Sequence, residues 1–406
     1  MREDWARVRL ADVAEESRER VMLVTGIEYR AVGVLRDGKG LLDRPPFIGG
    51  KTNYKKLTPI HEGQLILRSI TAWEAPSTVA KFQHEGAHVS GVFPVFNLKR
   101  ELILPGYMNL ICQSAAFWNA MRIRCTGSVL RRKTLSVRAF LDIPIDLPPL
   151  EEQRRIVDLV QILDIAEDEA GRTSEAHSEL SKVLVDNWVQ DWNGPVSRLG
   201  DVARMGSGSG WKSSDERPES GDGRLRVLGI TNTPPGGAIT LDQAKYVEGL
   251  PKSTPKLSES SLLMIRTNGN RVRIGNVYRI PPKARGCAFS AFQIGIHFGS
   301  SEEATFAYWM LSDSRVQSQI SLAASGSTGL GNVAITWLRD LEIPWPDSEA
   351  SKIAISQLFD SAGECVMAGR NLQDTYVELR FCLLSQLLSG SHGIATSYDS
   401  ILEMVS

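Results

Sequence analysis

Val8-Arg9-Leu10-Ala11-Asp12-Val13-Ala14 returns in the middle of the chain as Ser197-Arg198-Leu199-Gly200-Asp201-Val202-Ala203, five of seven positions identical. Three further pairs follow in the same order. Leu65-Ile66-Leu67-Arg68-Ser69 corresponds to Leu263-Met264-Ile265-Arg266-Thr267. Gly127-Ser128 precedes Leu141-Asp142-Ile143-Pro144 much as Gly326-Ser327 precedes Leu341-Glu342-Ile343-Pro344. Ala170-Gly171-Arg172 pairs with Ala368-Gly369-Arg370. Each match alone is weak, but all lie at offsets of 189 to 200 residues, which reads as one unit duplicated. A period that long excludes a solenoid and implies two equivalent domains, each followed by its own connector.

The connectors read as helices. From Glu151 to Trp192 there is no proline; the stretch opens on acids, as a helix N-terminus favours, and stops at Asn193-Gly194-Pro195. A spacing of three and four predicts an apolar stripe of Leu159, Ile162, Ala166, Ala176, Leu180 and Val183. In the second connector Leu358, Ala362, Cys365, Gly369, Leu372, Tyr376, Leu379 and Leu383 follow a heptad seam that ends near Gly390. Two such stripes would bury each other as an antiparallel coiled coil; the plainer alternative is that each helix packs on its own domain. Elsewhere short apolar runs broken by Gly and Pro, such as 63–68, 89–96, 225–230, 275–280 and 293–298, read as strands. One helix is expected in each copy, around 107–122 and 302–320. The expected fold is therefore α+β: a first domain at 1–149, a helical spacer at 150–192, a second domain at 193–348, a second spacer at 349–390 and a tail at 391–406.

Bulk composition narrows the class. With 42% hydrophobic and 23% charged residues and no long apolar run, the chain reads as globular, without a membrane partner. Its charged, aromatic start argues against a secretory leader. Five scattered cysteines, an odd number without a Cys-x-x-Cys, suit reduced thiols in the cytoplasm. A net charge of −1 seems poor for binding nucleic acid, yet residues 151–191 hold eleven acids against four bases, and without them the rest stands at +6.

At this point the chain resembles the specificity subunits of type I restriction-modification systems. The likeness rests on Ile143-Pro144-Ile145-Asp146-Leu147-Pro148-Pro149-Leu150-Glu151-Glu152-Gln153-Arg154-Arg155-Ile156-Val157, similar to that family's entry into its central helix, and on the order of the repeated parts from about Val8 to Ser389. The second helix departs from it, opening at Pro344-Trp345-Pro346-Asp347-Ser348-Glu349 without a Glu-Gln pair. The resemblance implies two target-recognition domains reading an asymmetric bipartite site in double-stranded DNA. It also implies two methyltransferase subunits as partners, and motor-endonuclease subunits in the full nuclease. Glu151, Glu152, Gln153, Arg154 and Arg155 are then the expected partner-binding residues.

Candidate DNA contacts come from two acid-free stretches, 122–138 and 264–286. The first offers Arg122, Arg124, Arg131, Arg132 and Lys133; the second offers Arg266, Asn268, Asn270, Arg271 and Arg273, with Thr267-Asn268-Gly269-Asn270-Arg271 preferred for reading bases. Arg68 and Lys212 complete the set. Uncompensated cations attract phosphates, and Arg and Asn suit bidentate contact with guanine and adenine. The competing reading is that these arginines pair with acids distant in sequence.

Three motifs suggest other chemistry. Gly206-Ser207-Gly208-Ser209-Gly210-Trp211-Lys212-Ser213 approaches a phosphate-binding loop, but Trp211 stands where the cradle needs glycine. His84-Glu85-Gly86-Ala87-His88 has the spacing of a zinc-protease helix, yet Gly86, Gly91 and Pro94 leave that helix no room. Asp146-Leu147-Pro148-Pro149 misses a methyltransferase motif by one residue. No catalytic residue, metal or cofactor is expected. The rivals are a stand-alone two-domain DNA-binding protein and, remotely, a metalloprotease through His84 and His88.

Overall fold

The structure is a computed structural model describing residues 4–324 and 330–394. Two compact units emerge, one formed by Met1–Ala170 with Asn371–Ser406 and the other by Gly171–Arg370.

In the first unit the chain start and the approach to the long helix pair as antiparallel strands, Ala6–Arg9 against Pro144–Leu147. A four-stranded antiparallel sheet follows, ordered Ala14–Glu16, Val95–Leu98, Leu65–Leu67, Ser77–Val79. Leu65, Ile66 and Leu67 are all fully buried, a strand covered on both faces. A five-stranded sheet is ordered Val21–Met22, Lys56–Pro59, His88–Val89, Glu28–Val34, Leu41–Ile48. The second unit repeats the first sheet strand for strand: Arg204–Ser207, Gln293–His297, Ser261–Ile265, Val277–Arg279. Its closing pair is Val196–Arg198 with Glu342–Pro344. Its other sheet has four strands, and Arg224–Leu228 runs parallel to Ala288–Phe289 as Glu28–Val34 does to His88–Val89.

The register corrects one of the repeat matches. Leu10 donates its N–H to the Ile143 carbonyl, and its counterpart Leu199 donates to Leu341. Ile143 therefore corresponds to Leu341, so the two Leu-acid-Ile-Pro strings are two residues out of step. The true offset there is 198, the same as for Leu65 and Ala170. The Gly326-Ser327 element lies outside the described residues.

Each expected single helix is two, broken where a side chain caps a fresh start. Ser114 Oγ accepts from Phe117 N–H between Pro105–Cys112 and Ala115–Arg122. Fully buried Asp313 accepts from Arg315 and Val316 between Ser301–Ser312 and Ser314–Ala323.

The long helices run Leu150–Asp191 and Glu349–Leu388. Within each unit a length of one packs on a length of the other, as expected, but the buried faces differ from those anticipated. Leu180 is 64% exposed, while Ile156, Val160, Ala170, Ser174, Ser181 and Val185 are buried. On the second helix Leu358, Cys365, Leu372 and Leu379 face outward, and the residue following Leu358, Phe359, is fully buried. Of the heptad expected there, the row of Ala362, Gly369, Tyr376 and Leu383 is half-buried. Small residues explain the error: Ser174 Oγ donates to the Val366 carbonyl at 3.2 Å, and a Cβ at Gly369 would lie 3.0 Å from that of Ser174. The backbones approach through side chains that carry no hydropathy signal.

Each end of the helical pair is fastened to its unit. In the second, Trp188 meets Phe306 and Phe359 edge-on, and Arg279 lies over Tyr308 while pairing with Asp360. In the first, Arg380 pairs with Asp164 on the other long helix and donates to Gln113 Oε1 at 2.6 Å.

A surface clip in the first unit gives a pH test. The His61 ring lies between two carboxylates, Glu85 at 2.7 Å and Glu19 at 3.0 Å. The hydrogen bond with Glu85, and next that with Glu19, lift its pKa above the ordinary 6.5 against the opposing effect of burial. A raised pKa stabilises the folded state fully below the unfolded value, and that contribution disappears as pH climbs through the folded one. The melting-temperature margin of wild type over His61→Ala is accordingly expected to shrink as pH rises from about 5.5 to 8.5. A margin that grows with pH would refute the clip.

Candidate nucleic-acid interface

One end of the buried sheet is built alike in the two units. In the first, the strand Leu65–Leu67 runs on into Arg68, Ser69 and Ile70. Ser69 N–H reaches the Val92 carbonyl at 3.0 Å, and Ile70 bridges to Thr134, which itself bridges to Thr126. In the second, Thr267 N–H reaches the Phe292 carbonyl at 3.1 Å, while Thr267 and Asn268 pair with Asn332 and Gly331. Both acid-free stretches thus converge on equivalent rims, each made from a strand end, a returning segment and one loop.

The side chains on these rims have diverged. Ile70, Thr134 and Val92 in the first unit stand where Asn268, Gly331 and Phe292 stand in the second. Thr267 Oγ1 donates to Asn332 Oδ1 at 2.8 Å, and Asn268 Oδ1 accepts from the Asn270 N–H at 2.8 Å, so the asparagines are held in place. Asn270 caps the short turn Arg271–Arg273 by accepting from Val272 N–H. Around them Val272 is 83% and Phe292 52% exposed. Apolar side chains beside amides suit a base edge, where a thymine methyl lies next to donors and acceptors. Ser207, from the Gly-Ser loop, joins the rim by accepting from Arg266 at 3.2 Å.

Five of the candidate cations hold contacts within their own unit. Arg68 pairs with Glu74; Arg122 spans the Trp73 carbonyl and Asp37; Arg124 donates to the Ala120 carbonyl. Arg273 donates to the Thr233 carbonyl, and Arg266 is half-buried against Ser207. These five brace the rims. Arg132, Lys212 and Arg271 are exposed and Lys133 partly so. The Arg131 side chain lies outside the described residues.

The expected partner-binding residues divide too, with a correction. Gln153 is fully buried: its Oε1 accepts from Leu104 N–H at 2.8 Å and its Nε2 donates to the Leu102 and Pro148 carbonyls, both at 2.9 Å. Glu152, also buried, accepts from the Trp5 indole at 3.1 Å. The Glu-Gln pair bolts the long helix to its own unit and has no surface to offer. Glu151 and Arg154 remain exposed, paired with each other at 2.8 Å, and Arg155 is half-buried.

Neither rival motif has its geometry. His84 ends a short 3-10 turn, Gly86 is left-handed at φ +74°, and His88 lies on a strand. Ala284-Arg285-Gly286-Cys287-Ala288 makes the same turn in the second unit, with Gly286 at φ +80°. The two imidazoles therefore share no helical face, and the described residues hold no cluster of three or more His, Cys, Asp or Glu able to bind a metal. The Gly-Ser loop leads only into the three-residue turn Ser213–Asp215, so no helix N-terminus stands behind it for a phosphate. Among the described residues no helix is long and apolar enough to cross a membrane.

No family model matches the chain, and no curated protein does. Solved structures define its class of fold: a duplicated α+β unit with two long helices, found in type I restriction-modification systems. A chain from a structure on complex assembly and conformational transition of the type I R-M system matches over 95% of this chain and 98% of its own, with a TM-score of 0.62 and 16% identity. The type I restriction-modification S subunit from M. genitalium matches over 95% and 96%, with a TM-score of 0.54 and 11% identity.

Proposed function

We propose that this chain is the specificity subunit of a type I restriction-modification complex, without catalytic residues of its own. Each unit would dock its rim on one half of an asymmetric bipartite site in duplex DNA, and the long helices would set the gap. Methyltransferase subunits, joined by motor-endonuclease subunits in a full nuclease, would supply the chemistry on adenine. One observation carries this reading: two rims of the same construction display different side chains, Ile70 and Thr134 against Asn268 and Gly331. A duplicated scaffold with diverged polar ends suits two unlike half-sites. The shared fold supports it further.

A tag on the chain is expected to bring a methyltransferase down with it from the host. A chain that purifies alone and binds one DNA sequence tightly by itself would instead be a free-standing regulator.

A further inference from the structure

We infer that the loop Gly49–Lys56 of the first unit is a second duplex-DNA contact, gripping backbone phosphates beside the rim; this rests on the reading above. From Arg44 to His61 the sequence has no acid, and Lys51, Asn53, Lys55 and Lys56 are all exposed. The loop is held in shape. Its Gly49 and Lys55 carbonyls accept from Gly26 and Leu23 N–H at 2.9 and 3.1 Å, and Tyr54 packs edge-on against Phe47 at 5.5 Å. Gly49 can only be glycine, because a Cβ there would lie 1.9 Å from the Val24 carbonyl oxygen.

The segment laced to it, Val21–Ile27, is also free of acids and leaves Met22, Val24 and Ile27 at least half exposed. Glu28, which borders that segment, stands opposite Ile48 across the strand pair. Thr58, two residues past the loop, pairs with Val89, and three residues past Val89 the Val92 carbonyl takes the Ser69 N–H of the rim, so the loop is joined to the rim through one short strand. Lysine is depleted at protein–protein interfaces and is a good point charge for phosphate. Three lysines with no counter-charge on their own loop therefore fit a polyanion better than a protein.

Phosphate contacts act equally on all sequences and appear in the salt dependence. The test uses the complex purified from its host through a tag on this chain, titrated with random-sequence duplexes of about 40 base pairs over a salt series. Changing Lys51, Lys55 and Lys56 to Gln is expected to weaken binding roughly tenfold to hundredfold at about 150 mM salt and to lower the log–log salt slope by about three, while changing all three to Arg keeps both near wild type. An unchanged melting temperature in the Gln variant assigns the loss to contact and not to folding. Unaltered affinity and slope in the Gln variant, or an equal loss in the Arg variant, would overturn the inference and leave the parent reading standing. A wild-type complex that binds no duplex at any salt would remove both.

Discussion

Replacing Gln153 by leucine is expected to destabilise the first unit by about 3–5 kcal/mol, seen as a lower denaturant midpoint at an unchanged slope. The side chain is fully buried and makes three hydrogen bonds to backbone, with Leu104 N–H and the Leu102 and Pro148 carbonyls. Leucine fills the volume but leaves those three groups buried and unpaired, at about 1–3 kcal/mol each when no water reaches them. Against a typical domain stability of about 5–15 kcal/mol the loss is large. Arg154→Ala, one residue along, is the contrast: its exposed pair with Glu151 is worth well under about 1 kcal/mol. Were Gln153 a partner contact, the leucine variant would keep its midpoint and lose only partner affinity.

Asn268→Ala combined with Arg271→Ala is expected to relax the second half-site alone. Each well-placed bidentate contact is worth about 1–3 kcal/mol of discrimination between bases, so the positions read there should accept wrong bases roughly tenfold to hundredfold more often. The first half-site should keep its sequence, because the variant residues lie in the unit Gly171–Arg370 and leave Ile70, Thr134 and Val92 untouched. Methylated motifs from cells carrying the variant would show this directly. Degeneracy in both halves, or in neither, would contradict the assignment of one rim to one half-site.

Much of the fold was legible because duplication doubles every weak signal. Leu10 and Leu199 take the same place at the start of each unit, and Leu65–Leu67 and Ser261–Ile265 the same place in the sheet. The helical seam was not legible. Its contacts at Ser174 and Gly369 work by being small, whereas the apolar row of Leu358, Leu372 and Leu379 is turned outward. The site was legible as a region but not residue by residue. Arg122 and Arg279 stand in stretches without acids, yet each finds a carboxylate far along the chain, Asp37 and Asp360, which no local charge count can show. The Gly49–Lys56 loop could have been found by the same search for acid-free runs that gave 122–138 and 264–286.

Single-molecule methylome sequencing of the host with and without this chain tests the central claim most directly. The account predicts one motif, two unlike short half-sites separated by unread bases, methylated when the chain is present and lost entirely when it is absent. A methylome identical in the two hosts, or a lost motif that is continuous or made of two identical halves, would contradict it.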